Sequence, residues 1–147
     1  MGAQETLERY SAEISRDHSR MQPALVAMAR TVDALGHNPR LLRHLADQID
    51  ALHDQLRSHF AREERVAMHE RLAAALPGDG IEIAHLLSDH PTMLQMLRDV
   101  RDRAKHCRTG DIAHLRSGVE VFLHLLYQHE STEDELLDKA SSTTTPD

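Results

Sequence analysis

The 147-residue chain is 40% hydrophobic and 28% charged, the balance of a soluble globular domain long enough to bury a core. A formal net charge of −7 excludes a nucleic-acid surface, which needs a basic face, and no run approaches the ~18 apolar residues of a membrane span. Six Gly, five Pro, no Trp, two Tyr and two Phe exclude a strand-rich fold and leave an all-α one.

The chain opens on MGAQET, which fits an N-acylation pattern; a six-residue match is weak, and it reads as the lead-in to a first helical stretch over 4–35. GHNP at 36–39 breaks that stretch, and a second runs over 40–73. PGDG at 77–80 breaks again, before a third stretch over 81–108. TGD at 109–111 follows, with Gly110 suited to a helix C-terminus and Asp111 to an N-cap. A fourth stretch covers 112–139, and residues 140–147, ending SSTTTPD, form a flexible polar tail. Cys107 stands alone, which excludes an intrachain disulfide and a CxxC metal knuckle and suits a reducing cytoplasm. The basic run RDRAKHCR at 101–108 is a solvated helix end.

Each stretch carries apolar residues at alternating spacings of three and four. The first stripe is Leu7, Ser11, Ile14, His18, Met21, Leu25, Met28, Val32. The second is Leu42, Leu45, Ile49, Leu52, Leu56, His59, Glu63, Val66. The third is Ile83, Leu87, His90, Leu94, Leu97, Arg101, Ala104, and the fourth Leu115, Val119, Phe122, Leu126, His129, Glu133, Leu136, Ala140. Four such seams predict an up-down-up-down antiparallel four-helix bundle over residues 1–139. Each seam is broken near its middle by His, or by His and Glu four apart. Within each hairpin the two histidines lie nearly equal distances from the turn and so at one level; between the second and third stretches the register is looser, and a longer loop in 71–80 absorbs the offset.

Residues four apart share a helix face, so HxxxE offers one imidazole nitrogen and a carboxylate able to bridge two metals. His18, His59, Glu63, His90, His129 and Glu133 together make four histidines and two carboxylates inside a bundle. Buried carboxylates facing each other are costly unless cations lie between them. Mixed imidazole and carboxylate ligation favours iron; manganese and zinc fit less well. At the last position Glu133 continues the stripe, while Asp134 also lies within reach of an HxxxxD spacing. Asp17 and Asp89 precede their histidines and are given no catalytic role. Glu64 and Glu130 flank the site as partners or surface charges. Among the remaining histidines His37 falls in a turn, and most of the others lie off the stripes.

The pieces DH at 17–18, HFAREE at 59–64, DH at 89–90 and HESTED at 129–134 resemble the hemerythrin-like (HHE cation-binding) domain family over about residues 5–139. That resemblance implies a non-haem di-iron centre with carboxylate bridges and an oxo or hydroxo bridge. The third stretch departs from the oxygen carriers' HxxxH, since Leu94 stands four after His90. This puts oxygen carriage in doubt and favours reaction with a small oxidant: dioxygen, hydrogen peroxide or nitric oxide. The alternative is an iron- or oxygen-sensing module, or a metal-binding one without turnover. The implied partner is a small diatomic or peroxide ligand, with no nucleic acid and no membrane; monomer and homo-oligomer both stay open.

Overall fold

The computed structural model describes residues 2–143, with side chains from Leu7 to Ser142 apart from Thr109. It is a helical bundle of four long helices and one short one: α1 (Gly2–Ala34), α2 (Leu41–Arg65), α3 (Met68–Ala75), α4 (Gly80–Lys105) and α5 (Ile112–Thr143). Short 3-10 turns at Pro77–Asp79 and Thr109–Asp111 precede α4 and α5. Helix α1 packs on α2, α2 on α4, α4 on α5, and α5 back on α1. No helix among the described residues is long and apolar enough to cross a membrane.

The composition explains why the helices run so far. Pro23 and Pro91 are the prolines inside long helices, both on exposed faces. Helix α1 ends where Asn38 donates its backbone N–H to Ala34 O (3.1 Å) and its side-chain oxygen accepts from the Arg40 N–H (3.2 Å). Gly110 does not take the left-handed C-terminal conformation, since no described glycine has a positive φ. Helix α4 has already ended at Lys105, where the His106 N–H reaches Asp102 O at 3.2 Å. The second helix is shorter than its pattern predicts. It stops at Arg65, and the chain restarts as α3 after Ala67, the one described non-glycine residue in the left-handed region (φ 53°). The register offset is thus absorbed at 66–67 and by an extra helix, not by a loop at 71–80. Helix α5 runs through Ala140, which is buried, to Thr143; residues 144–147 of the expected tail, and Met1 of the acylation pattern, lie outside the described residues.

Burial follows the stripes closely. All eight residues of the α5 stripe are buried. On α4 the buried line is Ile83, Leu86, His90, Met93, Leu97, Val100, Ala104. It keeps His90 but takes the other member of each doublet, so Leu87 is exposed and Arg101 turns outward to Asp50 (3.1 Å). The apolar side chains form two clusters. One, around Met28, Ile49, Leu52, Leu97, Val119 and Phe122, fills the end near the Gly36 and Cys107 turns. The other, around Ile14, Met68, Leu72, Leu86 and Leu136, fills the opposite end. Each fully buried Leu, Ile or Phe contributes about 1.5–3 kcal/mol, and the layer between the two clusters is polar.

Candidate metal centre

That polar layer holds all six residues singled out by the stripes, and all six are buried. Helix α1 supplies His18, α2 His59 and Glu63, α4 His90, and α5 His129 and Glu133. Their ligand atoms fall into two overlapping groups. His18, His59, Glu63 and Glu133 form one, Glu63, His90, His129 and Glu133 the other, with all atoms of a group within 4.8 Å of one another. The rings of His18 and His59 are 5.1 Å apart and those of His90 and His129 5.3 Å, so each pair is at one level. Both glutamates span the groups. Glu63 turns Oε1 to His59 Nε2 (2.5 Å) and Oε2 to His90 Nε2 (3.4 Å). Glu133 turns Oε1 to His18 Nε2 (3.2 Å) and Oε2 to His129 Nε2 (3.3 Å). The inward carboxylate at the last position is therefore Glu133, while Asp134 lies outside the pair, against His18 Nδ1 at 3.3 Å.

Close as these atoms are, none is satisfied. The Nε2 atoms of His18, His59, His90 and His129 and all four carboxylate oxygens of Glu63 and Glu133 are buried without a hydrogen-bond partner. Each unsatisfied neutral group costs about 1–3 kcal/mol and a buried charge more, and both glutamates are 0% exposed. The field of these carboxylates is visible in the neighbouring histidines. His18 is pushed up to about 10, because Asp134 and Glu133 outweigh the burial that lowers it. His59 and His129 are raised in the same way against their burial, by Glu63 and Glu133 respectively. Burial pushes the Glu63 carboxyl up, but His59 and His90 hold it well below the usual carboxylate range. A pocket that draws protons onto its imidazoles attracts cations, and these donors, imidazole nitrogens and carboxylate oxygens, suit a first-row transition metal. Burial, unsatisfied donors and donor chemistry all fit bound metal.

The outward nitrogens are as ordered as the inward ones. His59 Nδ1 meets Asp17 (3.0 Å), His90 Nδ1 meets Glu64 (3.1 Å), and His129 Nδ1 meets Asp89 (3.1 Å). With Asp134 beside His18, each histidine has an acid supplied by an adjacent helix, and the set closes into a ring around the bundle: α1 to α2, α2 to α4, α4 to α5, α5 to α1. At His59, His90 and His129 an acid hydrogen-bonded to Nδ1 places the proton there and leaves Nε2 with its lone pair for a metal, whereas His18 Nδ1 and Asp134 are in contact at 3.3 Å without a hydrogen bond. Arg62 in turn holds Asp17, with Nη1 2.6 Å from both of its oxygens, and with His59 it keeps that carboxyl below its ordinary value against the burial that raises it. Asp17 and Asp89, given no catalytic role from the sequence, thus contact the outward nitrogens of His59 and His129, and of the two readings open for Glu64 the structure places it as a partner, of His90. These acids cannot share a face with their own neighbour, but a step of ~100° along a helix points them at the next helix, where a histidine waits.

Two more side chains complete the layer. Phe60 stacks on His90 (3.8 Å between centroids, 6° between planes) and meets His129 edge-on at 5.7 Å, closing the site against the first apolar cluster. His69, which lies off every stripe, is buried beside His90, 5.2 Å between rings. His37, His44, His85, His106, His114 and His124 are exposed, as their positions off the stripes imply, and His53 is buried at a distance from the site. Two grooves reach the layer from outside. One of ≈330 Å³ between α4 and α5 ends on His129, and one of ≈300 Å³ between α1 and α5 ends on His18 beside Glu130.

The family description Hemerythrin HHE cation binding domain matches residues 10–140 of the chain. Comparisons with curated proteins and with solved structures return no match.

Proposed function

Because the chain belongs to the hemerythrin HHE cation-binding family, we propose that it is a non-haem di-iron protein. The two irons lie between His18, His59, Glu63, His90, His129 and Glu133, and the centre binds or reacts with a small oxidant such as dioxygen, hydrogen peroxide or nitric oxide. The observation that carries this reading is the span of the two glutamates: each presents one unpartnered oxygen to each histidine pair. A single ion needs one such group, and carboxylates shared between two groups suit two. Imidazole with carboxylate and no thiolate favours iron over zinc, whose structural sites are four-coordinate and closed. When bound, the pair supplies Lewis-acid and redox chemistry.

The chain's own residues do the rest. The acids hydrogen-bonded to Nδ1 of His59, His90 and His129 fix those rings and their tautomers, Phe60 separates the site from the first apolar cluster, and the two grooves, with His129 and His18 in their linings, offer approaches for a small ligand. The short connections support an up-down-up-down course of the four long helices, and free Cys107 suits a reducing cytoplasm. A second reading, sensing or metal binding without turnover, draws on the position of the site between two separate apolar clusters, where ligation couples to the stability of the whole bundle.

Metal analysis and an absorption spectrum of aerobically purified protein, before and after hydrogen peroxide, test both. About two irons per chain with near-ultraviolet charge-transfer bands that change with peroxide is the expected result. Iron present but inert to peroxide, dioxygen and nitric oxide favours the second reading, and zinc without such bands overturns the first.

A further inference from the structure

We propose that His69 is a seventh protein donor to this centre, given to the metal on the His90–His129 side, and that it makes the two metal positions unequal. The inference rests on the dinuclear reading above. His69 is 4% exposed, and its Nε2 is buried with no hydrogen-bond partner. That nitrogen is 3.8 Å from Glu63 Oε2, the same oxygen that faces His90 Nε2 at 3.4 Å. Donors that share one metal at ~2.1 Å each stand ~3–4 Å apart, and the approach of His69 Nε2 to Glu63 Oε2 lies in that range, although His69 stands outside the two groups whose ligand atoms all fall within 4.8 Å of one another. Its ring meets His90 edge-on (70°); the opposite pair, His18 and His59, has no such neighbour among the described ring contacts.

The backbone delivers His69 at a cost. A continuous α2 would carry position 69 about 240° around the helix from Glu63, away from the site. Instead the helix breaks after Arg65, and Ala67 adopts φ 53° and ψ 43°, a conformation unfavourable for any residue with a Cβ. The Arg71 guanidinium then holds the freed Val66 carbonyl (3.0 Å). The new helix seats Met68 and Leu72, both 0% exposed, in the second apolar cluster, which fixes His69 between them against Glu63. With His69 the His90–His129 side offers three imidazoles and the His18–His59 side two.

Anaerobic titration of the metal-free full chain with ferrous ion against a chromophoric chelator tests this. Wild type is expected to bind two ions. His69→Ala is expected to keep one at wild-type affinity and to weaken the other about tenfold or more, with added imidazole restoring it. His53→Ala, which removes a buried histidine remote from the site, is expected to leave both unchanged. His69→Leu, which fills the volume with an apolar side chain, carries the same expectation if the alanine variant loses its helical circular dichroism. Two ions bound at wild-type affinity by a folded His69 variant overturn the assignment, as does an equal weakening of both ions, which marks a structural role. A wild-type chain that binds one ion or none overturns the dinuclear reading and this assignment together.

Discussion

Replacing Asp17 by Asn tests whether the acids on the outward nitrogens hold the site. The substitution keeps the size of the side chain and an oxygen able to accept from His59 Nδ1, but removes the charge. Asp17 is the buried member of the ring, with its side chain 8% exposed and Arg62 on both oxygens. Asp134, Asp89 and Glu64 are 45%, 46% and 51% exposed, so water screens their charges and can replace them. Loss of a buried partner behind a metal-ligating histidine typically costs 10–100-fold in metal affinity, about 1.4–2.7 kcal/mol. An exposed ion pair contributes about 0–1 kcal/mol, at most about fivefold. Ferrous-ion competition titrations are therefore expected to rank Asp17→Asn well below wild type and Asp89→Asn, Glu64→Gln and Asp134→Asn close to it. An Asp17→Asn protein with intact helical circular dichroism that binds metal as tightly as Asp89→Asn refutes the reasoning, because burial would then not decide how much each acid contributes.

Other perturbations follow from the same geometry. Glu63→Ala or Glu133→Ala removes an oxygen from both groups at once, so metal analysis is expected to find both ions lost, whereas His37→Ala, in an exposed turn, leaves two. Phe60→Ala empties the space over His90 and is expected to cost about 3–5 kcal/mol in urea unfolding of the metal-free protein; a loss under about 1 kcal/mol would mean that the stack contributes little. Ala67→Gly relieves the left-handed backbone at the α2–α3 break and is expected to stabilise by up to about 1 kcal/mol, net of the extra freedom it gives the unfolded chain; destabilisation would argue that Ala67 is not strained. His53 is held below its ordinary value of 6.5 by burial and by Arg98, so the folded state prefers it neutral. Its contribution is full above pH 6.5 and is lost as pH falls from there through the folded value. His53→Gln is expected to flatten that part of the acid slope in thermal unfolding, and an unchanged slope would remove His53 as its cause.

How much of the centre could be read from the sequence depends on how local each feature is. The inward placement of the six His and Glu side chains was legible because a stripe and a seam are one property: in α5, Leu126, His129, Glu133 and Leu136 must all point to the interior if any does. The phase of α4 was less legible because Leu86 and Leu87, and Met93 and Leu94, are apolar doublets that fit either line. Arg101 carried the missing information. A stripe through Leu87 and Leu94 puts that arginine in the core, while the line through Leu86 and Met93 passes through Val100 and frees Arg101 for Asp50. The ring of acids needed one inference more. A residue next to an inward donor points at the flank of its helix, and in a bundle a flank faces a neighbour more often than it faces water.

His69 was beyond such reasoning, since its place depends on a break that no glycine or proline marks. VAMHE, residues 66–70, reads as uninterrupted helix by propensity, and the break there is enforced by tertiary packing. Met68 and Leu72 gain the second apolar cluster only if the chain turns at Ala67. Burying those two side chains contributes about 1.5–3 kcal/mol each, which exceeds the ~1–2 kcal/mol cost of one left-handed alanine. The gain from packing thus decides the backbone, the backbone carries a histidine to Glu63, and the centre acquires its asymmetry from a segment whose local sequence does not announce it.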